Sequence, residues 1–398
     1  MDEQHTHSNP GPSAPDRDII GPAPVDPEHF DSLIRLLDLV MRPDSPRSMT
    51  EDFPFFLRQE NCETLFVCRD GDRIVSHVGL LPMEASYFGH QLKIGMIGAV
   101  ATHPDYRLRG LATRTLHKAF KDFREQGGHL LMISGRRDLY FRNGAREVGA
   151  FRRYDLDQEE APLGRSEGLE LERADASRAA EFAAMHRLKP VRFLRPLEEW
   201  TSRMEEGVCR NRLSKFCLAS RNGQPTAYGI FRVEEVGGET ECVVTEWGGR
   251  PEDAFLAVSR RVREEKWARS QWTLYPHENH MAHVLESSDA RLRGEQAAEG
   301  SLRVADFVGL MEALRGHFRE LIGREMADSL QFQQCAPDLF SIGLNEESVR
   351  IQGHGKLAEV IFGPGLHARS EPVPEGDLRD ALSVLFPLSP MNYDFSYA

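Results

Sequence analysis

The chain has 398 residues, of which 40% are hydrophobic and 28% charged, and its formal net charge is −13. This length predicts two or three domains, and the acidic balance argues against binding to a nucleic-acid backbone, which requires a basic surface. No apolar run approaches the ~20 residues that cross a bilayer, and the polar N-terminus lacks the features of a secretion signal. We therefore expect a cytoplasmic protein without nucleic-acid or membrane partners, whose charge would attract a cationic substrate.

The cysteines and histidines do not indicate a metal site. None of the six cysteines stands in a Cys-x-x-Cys pair, so we expect reduced, mostly buried thiols rather than a disulfide framework or a zinc site. His277, His280 and His283 recur at three-residue intervals, but side chains at this spacing drift around a helix and do not match the His-Glu-x-x-His pattern. We therefore predict that the protein binds no metal.

The N-terminal part begins with a proline-rich segment and continues with mixed helices and strands. Six prolines fall within residues 1–27 with few large apolar residues between them, which predicts a disordered tail over residues 1–22. A helix is predicted around residues 29–40. The β-rich runs 65–68, 73–87 and 92–101 are separated by short turns, which predicts an antiparallel meander. Next we predict a helix that ends at Gly127-Gly128, a strand at 129–134 and a helical turn at 137–142.

The following residues repeat this order of elements between two polar stretches, 157–168 and 287–300, which we interpret as linkers. We predict a helix at 176–188 with Asp175 as its cap, strands at 216–220, 225–233, 241–246 and 271–274, and helices at 254–265 and 279–285. The last ~100 residues are the size of one more domain. They are predicted to hold helices at 304–322 and 377–386, with strands at 339–344, 348–352 and 357–362. The predicted domains are residues 23–160, 161–298 and 299–398.

One segment carries a pattern with chemical consequences. In residues 100–113 a strand runs into a basic loop that opens a helix. Successive main-chain N–H groups at a helix start form an anion site. Gly110 lets the backbone approach a phosphate closely, and Arg107 and Arg109 add positive charge suited to a pyrophosphate. An arginine-decorated surface helix is the alternative interpretation.

The pattern Arg107-x-x-Gly110-x-Ala112 resembles the [Q/R]-x-x-G-x-[G/A] signature of the GNAT superfamily of N-acetyltransferases, and it lies where that family has it. The resemblance implies acetyl-CoA as the acetyl donor. It also places Tyr140 at the position of the family's general acid, since a phenol can give a proton to a departing thiolate; the alternative for Tyr140 is packing on the sheet. The implied cofactor-binding residues are Val100, Ala101, Thr102, Arg107, Leu108, Arg109, Gly110, Leu111, Ala112, Thr113, Gly135 and Arg136.

The order and spacing of the predicted domains resemble the Eis-like (enhanced intracellular survival) subgroup of GNAT proteins. This resemblance implies an α+β protein, in which tandem GNAT folds of mixed, mostly antiparallel sheet flanked by helices precede a sterol-carrier-protein-like α+β domain. It also implies a homo-oligomer, a hexamer in the subgroup, and a general base supplied by the terminal carboxylate, here that of Ala398. The predicted strand 92–101 holds no Asp, Glu or His for that role. The subgroup, however, ends in an aromatic residue and this chain in alanine.

The second domain departs from the signature. Its third strand is followed by Trp-Gly-Gly-Arg-Pro at residues 247–251, so we expect it to bind no acetyl-CoA and to form a wall of the substrate cleft. Glu198, Glu199, Glu205 and Glu206 either line an acidic amine-binding cleft or form a solvated helix face.

The function expected from the resemblance is an acetyl-CoA-dependent N-acetyltransferase. It would acetylate a primary amine of lysine, polyamine or aminoglycoside type by direct attack in a ternary complex. The alternative is a non-catalytic protein that senses acyl-CoA or binds a lipid.

Overall fold

The computed structural model describes residues 19–161, 168–209, 211–297, 300–363, 375–391 and 393–396. Two large sheets and one small sheet, each flanked by helices, form a mixed α+β architecture, as expected. None of the helices described is both long and apolar enough to traverse a membrane. The cysteines are free thiols, and all except Cys335 are buried, as predicted.

The first sheet has the strand order β1-β2-β3-β4-β5-β15, and β8 pairs with β3. The predicted antiparallel meander is present in β2–β4, whereas β4 and β5 run parallel. Its elements are β1 (Ile20–Pro24), β2 (Leu65–Asp70), β3 (Arg73–Tyr87), β4 (His90–Thr102), β5 (Leu130–Ile133), β8 (Val191–Phe193) and β15 (Ser301–Val304), with helices α1 (Phe30–Met41), α2 (Met49–Asp52), α3 (Leu111–Glu125) and α4 (Asp138–Arg142).

Helices α1 and α3 cover opposite faces of this sheet. In strand β2, Phe66 belongs to the apolar cluster under α3, and the next residue, Val67, belongs to the cluster under α1. Successive strand residues point to opposite faces, so a strand covered on both sides must be apolar throughout. The run Leu65–Cys68 meets this requirement, with every side chain buried.

The second sheet has the order β14-β6-β13-β12-β11-β10-β7, with β9 paired to β10. As predicted, it repeats the first: β10–β12 form an antiparallel meander, and β12 runs parallel to β13 after the intervening helix α7. Its elements are β6 (Ala150–Asp157), β7 (Leu169–Ala174), β9 (Val208–Cys209), β10 (Arg212–Arg221), β11 (Gln224–Val236), β12 (Glu239–Gly249), β13 (Arg269–Leu274) and β14 (Arg291–Ala297), with α5 (Ala179–His186), α6 (Leu197–Glu206), α7 (Pro251–Glu265) and α8 (Asn279–Glu286).

The C-terminal part packs helices on a three-stranded antiparallel sheet, and its core is continuous with one end of the first sheet. Its likeness to sterol carrier proteins stays a prediction. The elements are β16 (Leu330–Ala336), β17 (Leu339–Leu344), β18 (Glu347–Gln352), α9 (Phe307–Ala313), α10 (Arg315–Ile322), α11 (Arg324–Ser329), α12 (His354–Phe362) and α13 (Asp377–Leu385).

Three predictions were wrong: the extent of the N-terminal tail, one linker and one strand. The predicted tail 1–22 extends too far, because Ile20–Pro24 is a strand paired with β2; residues 1–18 of that prediction lie outside the described residues. The predicted linker 287–300 contains strand β14, whose mostly exposed side chains carry no apolar alternation. The predicted strand 357–362 is part of helix α12, since Leu357, Ala358 and Ile361 bury one helical face.

Two further predictions differ from the structure for reasons of tertiary pairing. The predicted helix 304–322 is two helices, because the backbone turns at Leu314 and both helices bury apolar side chains in one core. Strand β6 precedes the expected domain boundary at residue 160, yet it pairs with β13 and β14 of the second sheet.

Candidate active site

A cleft opens in the first sheet where two parallel strands part. The pairing of β4 with β5 runs from Ile94 opposite Leu130 to Ile97 opposite Ile133. One further bond joins the N–H of Ser134 to the carbonyl of Ile97 at 3.3 Å. Beyond this point the main chain of β4 no longer pairs with β5, and the carbonyl of Val100 accepts instead from the guanidinium of Arg137 at 3.2 Å.

A bulge directs the part of β4 beside the cleft. His77 pairs with Ala101 and Gly79 with Gly98, so two residues of β4 oppose one residue of β3. Ala99 adopts a φ of +51°, which an alanine rarely takes without support. A bulge of this kind bends the strand and turns its side chains and carbonyls to new directions.

His77 supports the bulge from the buried face of β3. Its Nδ1 lies 2.7 Å from the carbonyl oxygen of Ala99, and the side chain is fully buried. Burial lowers the pKa of His77 to about 4, although the bond to Ala99 opposes this shift. The ring is therefore neutral at pH 7, and since a carbonyl only accepts, Nδ1 carries the proton. No pattern in the sequence distinguishes this histidine from any other strand residue.

The loop that precedes α3 is exposed to solvent, and hydrogen bonds from its side chains fix its conformation. His103 Nδ1 accepts the N–H of Asp105 at 3.3 Å, and the hydroxyl of Tyr106 donates to Asp70 at 2.6 Å. Leu108 and Gly110 have φ values of +63° and +72°. Gly110 is the N-cap of α3, and a Cβ atom on it would meet nothing within 4 Å. The space beside Gly110 at the start of α3 is therefore open, as an anion site requires.

The arginines around this loop have different partners. Arg107 Nε lies 3.4 Å from the carbonyl of Thr102, and the guanidinium of Arg109 lies over the ring of Tyr106 at 5.0 Å. Both side chains are exposed. Arg136, in contrast, forms an ion pair with Glu147 at 2.7 Å. Arg107 and Arg109 are therefore available to add positive charge at the start of α3.

Tyr140 lies in helix α4. Its ring is buried in the apolar cluster that includes Val100 and Leu116. A Cβ atom on Gly135 would lie 2.6 Å from the Tyr140 ring, so only glycine allows this approach. This packing on the sheet agrees with the alternative interpretation of Tyr140, and its role as a general acid stays a prediction.

One cavity adjoins the bulge, and a second lies next to the first. One, of about 380 Å³, is lined by residues that include Gly98, Ala99, Ser134 and Ser396. The other, of about 670 Å³, lies between strand β3 of the first sheet and helix α6. Its lining contains five glutamates and two arginines: Glu60, Glu63, Glu84, Glu198, Glu199, Arg58 and Arg203. Leu81 lines both cavities, so the acidic cavity lies beside the cleft.

The C-terminal segment reaches the first of these cavities. Ser396 is fully buried and lines the cavity together with the bulge of β4. Ala398, the predicted source of the general base, follows two residues later and lies outside the described residues.

The predicted absence of a metal stays a prediction. Nδ1 of His277 lies 2.8 Å from the hydroxyl of Ser389, and His280 pairs with Glu252 at 3.6 Å. Within the described parts of the chain, ligand atoms of Asp26, Glu28 and His29 lie within 4.8 Å of one another, on the surface.

Comparison with known proteins agrees with this geometry. Residues 22–147 match the family model of the acetyltransferase (GNAT) domain. No curated protein gives a significant match to the sequence.

The fold resembles solved structures along most of its length. A GCN5-related N-acetyltransferase from Anabaena variabilis ATCC 29413 is 15% identical, with a TM-score of 0.65 over 94% of this chain and 99% of that one. Eis1 from Mycobacterium abscessus is 12% identical, with a TM-score of 0.61 over 95% and 99% of the two chains. A GCN5-related N-acetyltransferase from Kribbella flavida is 16% identical, with a TM-score of 0.55 over 87% and 85%.

Substitution of the N-cap glycine tests the anion site. We expect Gly110→Ala to weaken acetyl-CoA binding by about tenfold, roughly 1.4 kcal/mol, because alanine disfavours a positive φ and its methyl group would extend into the open space at the start of α3. Isothermal titration measures the effect. Gly223→Ala is the matched control, since Gly223 has a φ of +74° and equally open surroundings in the second domain. Equal affinities of the two variants would contradict the assignment.

The buried histidine at the bulge predicts a dependence of stability on pH. The folded pKa of about 4 lies below the reference value of 6.5, so between these values the unfolded chain takes up a proton that the folded chain does not. Stability should therefore fall as the pH is lowered from 6.5 to 4, by about 1.4 kcal/mol per pH unit for His77.

His77→Asn isolates this contribution because asparagine retains a donor near the position of Nδ1 but does not titrate. Urea unfolding at several pH values gives the free energy of unfolding as a function of pH. Between pH 4 and 6.5 this free energy should change less steeply with pH in the variant, by the equivalent of one proton. Identical slopes for the variant and the natural protein would show that His77 does not titrate in this window.

Proposed function

Residues 22–147 belong to the GNAT acetyltransferase family, and on that premise we propose that the protein is an N-acetyltransferase that transfers acetyl from acetyl-CoA to a primary amine. The observation that carries the proposal is the exposed, glycine-initiated start of α3 beside the cleft between β4 and β5. The start of α3 and the cleft must lie next to each other, because the pyrophosphate and the thioester belong to one extended molecule.

The residues at the cleft fit such a donor. The amides of Leu111, Ala112 and Thr113 begin α3 and would bind the pyrophosphate, with charge added by Arg107 and Arg109. The main chain of residues 100–102, turned by the bulge, would bond to the pantetheine arm. Acetyl-CoA, once bound, supplies the activated acetyl group as a thioester.

Three groups of this chain would act on protons and charge. Tyr140 would donate its phenolic proton to the departing sulfur as the carbon–sulfur bond breaks and the carbon–nitrogen bond forms. The carboxylate expected at Ala398 would take the proton that the amine loses. The five glutamates of the larger cavity would attract a cationic substrate and exclude anions. We therefore propose a substrate with further amino groups, of lysine, polyamine or aminoglycoside type.

A thiol-release assay over a panel of amines tests the function. We expect release of CoA to be faster with polyamines, aminoglycosides or lysine peptides than with an amine that carries no second positive charge. Titration with acetyl-CoA in the absence of amine is the accompanying binding measurement. If acetyl-CoA binds but no amine releases CoA, the protein is an acyl-CoA-binding protein and the enzymatic proposal is wrong.

Removal of the Tyr140 hydroxyl tests the proposed acid. Tyr140→Phe should lower kcat by about a hundredfold or more, because proton donation by a positioned side chain contributes about 10²–10⁴ to the rate. The affinity for acetyl-CoA should stay unchanged. Tyr154→Phe is the control, since Tyr154 is equally buried but donates to Glu286 in the second domain. An unchanged kcat in Tyr140→Phe would remove this residue from the mechanism.

A further inference from the structure

Helix α4, which carries Tyr140, has only five residues. A helix of this length is marginal in isolation, and its last carbonyls have no partner within it. The turn that follows supplies the bonds: the side-chain amide of Asn143 donates to the carbonyl of Leu139 at 2.6 Å. The N–H groups of Asn143 and Ala145 each donate to the carbonyl of Tyr140 at 3.0 Å. The position of Tyr140 therefore depends on the turn that ends α4.

Two arginines bind this turn through their side chains. Nη1 of Arg146 donates to the carbonyls of Phe141 and Ala145 at 2.9 and 2.7 Å. Nε of Arg303, on strand β15, donates to the carbonyl of Asn143 at 2.9 Å. Arginine side chains near the end of a helix satisfy its last carbonyls and oppose their partial negative charge. Both arginines therefore hold the C-terminal end of α4.

Arg303 bears its positive charge in a poorly hydrated place. Its guanidinium lies 4.7 Å from the ring centroid of Phe120, and burial together with the neighbouring charge of Arg124 lowers its pKa to about 10. Among the described residues it forms no ion pair with a carboxylate, and its Nε bonds instead to the carbonyl of Asn143. An apolar side chain would avoid the cost of this burial but could not bond to the turn. We therefore attribute the arginine to the fixing of α4.

The C-terminal part of the chain contacts the same turn through helix α12. Nε of Arg146 lies 3.4 Å from Oε1 of Glu359 on this helix. A Cβ atom on Gly355 would lie 2.4 Å from the central carbon of the Arg146 guanidinium, so only glycine leaves room for it there. We call Arg146, Arg303, Gly355 and Glu359 the α4 brace, because they join the end of α4 to β15 and to α12.

We propose that the α4 brace positions Tyr140 for proton donation, so that the C-terminal part of the chain sets the rate of acyl transfer through α12. Arg146 and Arg303 are positioning residues in this scheme, since they act through the helix that carries the phenol. A displacement of a reacting group by about 1 Å can lower a rate by up to about a hundredfold. The catalytic half of the inference rests on the proposed function. The mechanical half, that α12 fixes α4, does not.

Gly355→Ala tests the mechanical half from the side of α12. A methyl group there would displace the Arg146 guanidinium, which ends a flexible side chain, while alanine has the higher helix propensity. We therefore expect a folded protein in which the amides of residues 138–147 exchange their hydrogens about tenfold or more faster than in the natural protein. Equal exchange in the two proteins would overturn this half.

Gly343→Ala is the matched control for this experiment. It makes the same substitution in the same part of the chain, on strand β17, but a Cβ atom on Gly343 would meet no atom nearer than 3.5 Å. We expect its exchange at residues 138–147 to equal that of the natural protein. Faster exchange in this control as well would show a general loosening and would count against the α4 brace.

The thiol-release assay tests the catalytic half with the same variant. We expect Gly355→Ala to lower kcat by about tenfold or more, with the affinity for acetyl-CoA within about twofold of the natural value, since the cofactor loop lies outside the α4 brace. The double variant with Tyr140→Phe should have the kcat of Tyr140→Phe alone, because an absent acid cannot be misplaced. A full kcat in Gly355→Ala, or a multiplication of the two losses, would overturn the catalytic half.

Arg146→Met asks whether the methyl group of the glycine variant acts through the arginine. We expect this variant to lose kcat to a similar extent, because the carbonyls of α4 lose the same donor. Gly355→Ala should then add less than about twofold, since the guanidinium that it displaces is already gone. A full further loss would show that the effect of Gly355→Ala does not pass through Arg146 and would overturn the assignment of this arginine.

The inference and the proposed function fail in different ways. If the natural protein releases no CoA with any amine while Gly355→Ala quickens exchange in residues 138–147, the mechanical half stands and the enzymatic function falls. If Tyr140→Phe retains its full kcat, the acid assignment and the catalytic half fall together, and the exchange result is unaffected.

Discussion

The architecture of the candidate site depends on the point at which β4 leaves β5. A strand that ends its pairing inside a sheet must satisfy its exposed N–H and C=O groups with another partner, and here the pairing stops at Ile97. The bulge at Ala99, its support by the buried ring of His77 and the loop into α3 all follow within a few residues. Arg137, which precedes helix α4, bonds to the carbonyl of Val100 beyond the point where the strands part. The carbonyls of Ala99 and Val100, which lie beyond the last pair, are bound by side chains, so the interruption of the sheet has a fixed structure.

The second sheet shows the same interruption with a different occupant. Strand β12 parts from β13 and carries a bulge before Glu246, but the following helix α7 begins with Pro251 and lacks the glycine that opens α3. The carboxylate of Glu246 instead accepts the main-chain N–H of Phe395. Arg195 offsets the cost of burying the Glu246 carboxylate, and the hydrogen bond from Phe395 to this carboxylate fixes the position of the C-terminal segment. A bulged strand thus borders a cavity in the first domain and a segment of the protein's own chain in the second.

The sequence predicted those features that depend on neighbours along the chain. The meander β2–β4, helix α3 and the loop around Gly110 follow from periodicity and turn residues, so they could be located. Helix α12 could not be distinguished from a strand, because a short apolar run suits either, and the edge strand β14 is stabilised by main-chain pairing that leaves no apolar pattern. His77 and Glu246 escaped notice since their partners are remote: Glu246 meets a residue 149 positions away.

The strands exchanged between domains determine when the candidate site can form in the cell. The first sheet receives β8 from the second domain and β15 from the segment that precedes the C-terminal helices, and its cavity receives Ser396. A chain emerging from the ribosome presents residues 20–149 long before these pieces are synthesised. During that interval its apolar sheet edges lack their covering strands and are open to aggregation. The first sheet can therefore be complete only after residue 304, the end of β15, has been synthesised.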